Sequence, residues 1–284
     1  MRLPDFLIIG AQKSGTSWLA KQLRAHSHVF MPPGELHFFD HPDLYARGPA
    51  WYAEHFEAAG PDRLAGEKTP NYLFLPDDPD VPQGHRRVAE LLPGIRQIAI
   101  LRDPVTRAVS ALNHVIRDGL VSPLYSADRL LGADRHRVPW PVLEFGFYAR
   151  QLAAFFELFD RDRVLVLYYE DDIRNAPEHG VRVSCQFLGI EPELDSVLLE
   201  KRANTRRHSW LRLAIDRHVP VLSRWTARLD HRLPSYYAKP SEDTLKRLYD
   251  YYAPHNDRLF DMLGRRPSSG WRYVPPGERE AASP

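Results

Sequence analysis

The sequence predicts an α/β fold of three layers, a central and mainly parallel sheet flanked by helices in the manner of phosphate-loop (P-loop-like) domains. Three observations predict it. Short continuous apolar runs at 6–9, 97–101 and 164–169 have the length and composition of buried parallel strands. Each run exits through a turn into a helical pattern, the alternation that builds a parallel sheet. The first exit, Gly10-Ala11-Gln12-Lys13-Ser14-Gly15-Thr16, carries two glycines and is the size of a phosphate-binding loop.

A chain of 284 residues can fill one large α/β core, and 43% apolar with 26% charged residues is ordinary for a globular protein. We expect a single domain over 1–275 and a disordered tail over 276–284. A net charge of +1 excludes a protein that is basic throughout, so any anion site is local and no nucleic-acid partner is expected. The single cysteine, Cys185, excludes an intrachain disulfide. No run approaches the roughly 18 apolar residues of a membrane span. The first strand begins so early that a signal peptide has no room, and a cytoplasmic setting is expected. Oligomeric state is not legible in the sequence.

The opening stretch is informative where it departs from a nucleoside triphosphate loop. Gly10 and Gly15 have the spacing of G-x-x-x-x-G-K-[ST], but Thr16 stands at the lysine position. The only lysine, Lys13, comes three residues early, over the loop crown, and no Lys-Ser/Thr pair is offered to Mg²⁺. The loop is suited to an anionic nucleotide held without a metal. A plain strand–helix turn with no ligand is the alternative. Helix periodicity then follows, with Leu19 and Leu23 one turn apart.

Val29-Phe30-Met31 reads as a short extended piece, broken by Pro32-Pro33-Gly34. In Glu35-Leu36-His37-Phe38-Phe39-Asp40 an extended backbone would turn Glu35 and His37 to one side and Leu36 to the core. An acid and a histidine so placed are a candidate general base with a helper. Equally, Glu35 can be a loop carboxylate bound to a nearby lysine. Pro70 keeps Thr69 out of helical space, so Lys68 lies in an extended or loop segment.

Residues 85–92 predict a helix, stopped at Gly94 before the second apolar run. That run exits at Arg102-Asp103-Pro104, with Asp103 at a helix N-cap and Pro104 at the first helical position. Ser110 lies seven residues past Asp103, on about the same face. Arg102 and Ser110 can clasp one phosphate, or Arg102 can form a surface ion pair. Residues 118–140 predict an irregular loop long enough to serve the acceptor side, with Trp51 and Tyr52 nearby. A helix is expected over 142–159, another over 176–188, and a last one over 242–263 that Pro254 kinks or breaks. Residues 201–232 hold nine Lys/Arg against two Asp/Glu. This is a solvated basic face or, at Arg206 and Arg207, an anion contact.

Taken together, four blocks in order resemble the PAPS-dependent sulfotransferases (PAPS is 3′-phosphoadenosine-5′-phosphosulfate), nearest the heparan sulfate 3-O- and N-sulfotransferase branch. Residues 8–16 resemble the family's 5′-phosphosulfate loop. Glu35 to Asp40 is similar to its E-x-H-F-F-D segment, and Glu67-Lys68-Thr69-Pro70 with Tyr72 to its E-K-T-P-x-Y segment. Leu101 to Pro104, Arg107 and Ser110 are similar to its 3′-phosphate block. The resemblance covers about residues 5–271. It implies Glu35 as general base helped by His37, with Lys13 and Lys68 on the sulfonyl group and bridging oxygen. It further implies Gln12, Lys13, Ser14, Gly15, Thr16 and Ser17 around the 5′-phosphate, Arg102 and Ser110 on the 3′-phosphate, and Arg206 and Arg207 in a covering loop. PAPS is the implied donor, no metal is required, and the acceptor is a small molecule or carbohydrate. The rival readings are a P-loop ATPase or kinase, and a non-catalytic nucleotide- or glycan-binding protein. The displaced lysine argues against the first, and the grouping of Glu35 with two lysines against the second.

Overall fold

The computed structural model describes residues 1–78, 81, 83–200, 209–218 and 235–279. In chain order the elements begin β1 (Phe6–Gly10), α1 (Thr16–Ala25), β2 (Val29–Phe30), α2 (Pro42–Tyr45), α3 (Gly48–Glu54), β3 (Leu64–Lys68), α4 (Gly84–Leu91) and β4 (Arg96–Leu101). They continue as α5 (Pro104–Arg117), α6 (Ala127–Leu130), α7 (Tyr148–Phe156), β5 (Val164–Tyr168), α8 (Pro177–Leu188), α9 (Ser196–Glu200) and α10 (Trp210–His218). A long helix, Glu242–Leu263, and a short one, Pro276–Arg279, follow. The chain forms two compact units, one of residues 1–102 and 148–204, the other of 103–147 and 205–284. Among the described residues, no helix is long and apolar enough to cross a membrane.

The first unit holds a five-stranded, all-parallel sheet in the order β2-β3-β1-β4-β5. The three strands read from the sequence, β1, β4 and β5, are consecutive in it. Ile8 of β1 lies opposite Lys68 of β3 on one side and Ile98 of β4 on the other. On one face Phe6, Ile8, Ile98, Ile100 and Leu167 pack with Leu19 and Leu23 of α1 and Val181, Cys185 and Leu188 of α8. Each fully buried aliphatic side chain of this kind contributes about 1.5–3 kcal/mol. Gly66 of β3 is required there, because a Cβ would lie 2.1 Å from the Phe6 ring. The helix α8 ends at Gly189 in the left-handed conformation, as the sequence predicts.

The second unit is built on α5, whose Val105, Ala108, Leu112, Val115 and Ile116 pack with Leu130, Leu143, Leu248 and Tyr252. Asp103 caps α5 as expected: its Oδ1 accepts from the N–H groups of Val105 and Thr106, both at 2.9 Å.

Two sequence expectations are corrected, and two others gain detail. The helix over 142–159 is instead a 3-10 turn, Glu144–Gly146, followed by α7 from Tyr148. Gly146 packs so tightly that a Cβ would approach Tyr252 and Pro104 at 2.8 and 2.9 Å. The irregular 118–140 stretch contains α6, with Ser126 as its N-cap, and a 3-10 turn at Arg135–Arg137. The last long helix runs unbroken through Pro254. Inside the expected tail, Pro276–Arg279 forms a helical turn that Pro276 is suited to start.

Candidate active site

The site-bearing residues of the first unit leave the C-terminal ends of parallel strands, the edge where α/β sheets hold ligands. β1 ends at Gly10, where a Cβ would lie 2.6 Å from Leu73 Cβ, so only glycine lets the chain pass. The Ala11 N–H then donates to Ile100 O of β4 at 2.8 Å, anchoring the loop. Lys13 and Gly15 take positive φ of 67° and 93°, which turns the backbone over the start of α1. Gly15 also lies against Tyr169, whose ring would meet a Cβ at 3.0 Å.

No side chain caps α1. Its first-turn amides, from Thr16 and Ser17, carry the positive end of the helix dipole. Two polar atoms in the same loop, Ser14 Oγ and Gln12 Oε1, are buried with no hydrogen-bond partner. Uncapped helix amides beside two orphaned buried polar atoms fit a polyanionic ligand. Trp18 and Gln22 secure α1 from behind, donating to Leu199 O at 3.3 Å and Leu198 O at 2.9 Å.

Arg102 leaves β4 beside this loop. Its Nη1 donates to Lys13 O at 3.0 Å, its guanidinium carbon lies 4.9 Å from the Tyr169 ring centroid, and Tyr148 Oη donates to its carbonyl at 2.8 Å. Ser110 lies on α5, in the second unit. Arg206 and Arg207 lie outside the described residues.

Lys68, the last residue of β3, forms an ion pair with Glu35 Oε1. Glu35 Oε2 lies 3.4 Å from His37 Nε2, and His37 Nδ1 lies 2.8 Å from Asp40 Oδ2. Asp40, His37, Glu35 and Lys68 thus form a line of alternating charge. Burial works to raise the Glu35 carboxyl, but hydrogen bonds and positive charge from His37 and Lys68 prevail and hold it at about 2. Hydrogen bonds to Asp40 and Glu35 raise the His37 imidazole to about 10 against burial. At neutral pH His37 is therefore a cation, donating from both ring nitrogens.

The sequence grouped Glu35 with His37 and left open both roles for Glu35, base and lysine ligand. The local geometry differs from the expected extended segment: residues 35–37 belong to no strand, and His37 has a left-handed φ of 52°. The reason lies in the partners of the segment. The Phe38 N–H donates to Tyr72 Oη at 3.0 Å and the His37 N–H to Thr69 Oγ1 at 3.4 Å, so side chains take the place of a neighbouring strand. Tyr52, expected beside an acceptor, is fully buried and donates to Glu67. Sequence reasoning assigned no role to Glu67 and did not pair Asp40 with His37, although their spacing was a usable signal. Glu170-Asp171-Asp172, which resembles an ATPase strand end, enters a π-helical turn. There Asp172 Oδ2 accepts from the Tyr168 N–H at 2.7 Å.

His26, His28 and Glu193 also come together. The His26 Nδ1 already accepts from the His28 N–H at 3.0 Å, and Glu193 binds the N–H of Ser27 at 2.8 Å. This group ties the α1–β2 turn to the 191–193 loop. In the second unit, a pocket of about 330 Å³ is lined by Leu130, Arg135, His136, Trp140 and Glu144 among others.

A family model described as a sulfotransferase domain matches residues 3–210. Heparan sulfate glucosamine 3-O-sulfotransferase 3B1 of Mus musculus is 26% identical over 277 residues, which cover 95% of this chain and 65% of the mouse protein. Heparan sulfate glucosamine 3-O-sulfotransferase 6 of Homo sapiens is 29% identical over 276 residues, 95% of this chain and 74% of the human protein. The chain thus spans about two thirds of the length of these relatives. A crystal structure of a sulfotransferase from Alicyclobacillus acidocaldarius superposes with a TM-score of 0.70 at 25% identity, covering 96% of this chain and all of the other.

Proposed function

The chain belongs to the sulfotransferase family, and from that premise we propose that it transfers the sulfuryl group of PAPS to a hydroxyl or amine of a small-molecule or carbohydrate acceptor. The observation that carries the reading is the pairing of Glu35 with Lys68 at the same sheet edge as the Lys13 loop. A binding protein has no need of a carboxylate base beside two cations. The orphaned Ser14 Oγ and Gln12 Oε1 and the uncapped start of α1 fit the 5′-phosphate end of the donor.

Sulfuryl transfer is in-line, like phosphoryl transfer. The acceptor oxygen or nitrogen forms a bond to sulfur while the bond from sulfur to the bridging oxygen breaks. The electron pair leaves on the 5′-phosphate, and the acceptor proton goes to Glu35. Gly15, Thr16 and Ser17 supply backbone donors to the 5′-phosphate. Lys13 and Lys68 stabilise the sulfonyl oxygens and the bridging oxygen as negative charge builds. Arg102 selects the 3′-phosphate, with Ser110 as its expected partner. Glu35 cannot remain as it stands in the resting pair, because a carboxylate held at about 2 is a weak base. Engagement of Lys68 by the donor's bridging oxygen draws it from Glu35 and restores basicity where the acceptor arrives. No Lys-Ser/Thr pair stands at the start of α1, where a nucleoside triphosphate loop would offer it to Mg²⁺, so in this reading the donor is held by protein groups.

For the acceptor, the curated relatives are named for the glucosamine of heparan sulfate, and the net charge of +1 speaks for a smaller ligand than that polyanion. We favour a small sugar or similar polar molecule over a long polyanionic chain. The test is transfer of labelled sulfate from PAPS to a panel of glucosamine derivatives, small phenols and heparan sulfate, with and without a chelator. No transfer to any acceptor despite tight binding of 3′-phosphoadenosine-5′-phosphate (PAP) would overturn the enzymatic reading. Heparan sulfate matching the best small acceptor would overturn the acceptor class.

A further inference from the structure

Glu67 is fully buried in β3, next in sequence to Lys68, and its partners are three hydroxyl groups. Tyr72 Oη and Thr69 Oγ1 both donate to its Oε1 at 2.7 Å, and Tyr52 Oη donates to its Oε2. No ion pair to a cation is seen for it among the described residues. Burial pushes its carboxyl up, opposed by those hydrogen bonds. An acid of this kind is costly to bury and is not placed to touch a ligand.

Two of the three hydroxyls reach further. Tyr72 Oη also accepts the Phe38 N–H at 3.0 Å, and Thr69 Oγ1 accepts the His37 N–H at 3.4 Å. Glu67 is thereby joined through Tyr72 and Thr69 to the backbone of the segment that carries Glu35, His37 and Asp40. Through its own peptide bond it is joined to Lys68. Tyr52 differs: among the described residues its hydroxyl bonds Glu67 alone, while its ring stacks on Phe38 at 4.4 Å between centroids and 9° between planes.

We propose that Glu67 is a positioning residue for the transfer reaction: through Tyr72 and Thr69 it sets where Glu35 and His37 stand relative to Lys68. The inference rests on the sulfotransferase reading with Glu35 as base, and it goes beyond that reading by naming what holds the base in place. A carboxylate can accept from all three hydroxyls at once. A glutamine can do nearly the same, because the Tyr52 hydroxyl can turn to accept from the amide. An alanine leaves all three unpaired.

The experiment compares Tyr72→Phe with Tyr52→Phe, each of which removes one hydroxyl from the same carboxylate and keeps its ring. Tyr72→Phe is expected to lower kcat at least tenfold with PAP affinity unchanged within about threefold. Tyr52→Phe, which keeps the ring on Phe38 and removes a hydroxyl with no bond to the catalytic segment among the described residues, is expected to lower melting temperature while kcat stays within about twofold. Glu67→Gln is expected to recover most of the kcat lost in Glu67→Ala. A readout independent of turnover is the His37 titration followed by NMR. The groups facing His37 are Asp40, Glu35 and, through Glu35, Lys68. Loosening their geometry in Tyr72→Phe should move the titration from about 10 toward the ordinary histidine value of 6.5. Equal kcat losses in the two tyrosine variants, or a His37 titration that Tyr72→Phe leaves in place, would overturn the proposal. A wild type without sulfuryl transfer would overturn the enzymatic reading instead, and the His37 titration would still judge the role of Glu67.

Discussion

Glu35 stands between two cations, and its chemistry follows from which of them it keeps. Glu35→Gln preserves shape and removes basicity, so kcat is expected to fall about 10²- to 10⁴-fold while PAP affinity changes less than about threefold. Proportional loss of binding and turnover would make Glu35 structural. The pH profiles offer a finer reading. For the donor, kcat/KM reports the free enzyme, where Glu35 is held at about 2, so it should stay flat through the ordinary carboxylate range. The kcat profile reports the complex in which the donor engages Lys68, so its acidic limb should lie at higher pH. Coincident limbs would mean that the pair never opens. The same groups give a stability signature. His37, raised from 6.5 to about 10, stabilises the fold fully below pH 6.5 and loses that contribution as pH rises through about 10. Glu35, lowered from 4.5 to about 2, contributes fully above pH 4.5 and loses it as pH falls through about 2. Melting temperature against pH should therefore decline less steeply on the alkaline side in His37→Gln than in the wild type.

Among the elements, the proposed function divides the holding of the donor between the start of α1 and the exit of β4. Losing a charge-assisted phosphate contact costs about 1.5–3 kcal/mol, so Arg102→Ala should weaken PAP about 10- to 100-fold and ADP little, as calorimetry would read. Equal losses for both nucleotides would remove Arg102 from the 3′-phosphate. Within the sheet, Gly66→Ala drives a methyl group into the Phe6 ring and should cost about 1–3 kcal/mol or more in denaturant unfolding. β1, β4 and β5 were legible because both faces are covered, which leaves continuous apolar runs without polar alternation. β3 was not, because Gly66, Glu67 and Lys68 interrupt the apolar signal: Gly66 makes room for the Phe6 ring, Glu67 is bonded to hydroxyls and Lys68 is paired with Glu35. The turn at Glu35 to His37 was hidden for a related reason: side chains far along the chain, Thr69 and Tyr72, take its amide donors. The pairing of Glu35 with Lys68 could be weighed from the sequence only as one of two roles. A contact between residues 33 positions apart has no local signature.

For the whole molecule, the informative measurement is a ligand panel. Saturating PAP at about a hundred times its Kd adds about 2.7 kcal/mol to stability, a rise of about 5–10 °C in melting temperature for a protein of this size. ADP and ATP with magnesium should add much less, and an equal rise with ATP–magnesium would favour an ATPase. The order of the sheet bears on how the chain reaches this state. β1 is made first yet ends at the centre, with Phe6 waiting for Gly66 on one side and Arg96 on the other. β5 follows only after residues 103–147 of the second unit have been made. During synthesis the most apolar strand therefore has both edges open while its partners are still missing. Such long-range parallel pairing is slow and exposes strands to aggregation. Renaturation from denaturant should be slow and concentration-limited, and a nascent chain halted before Arg96 should need a chaperone to stay in solution.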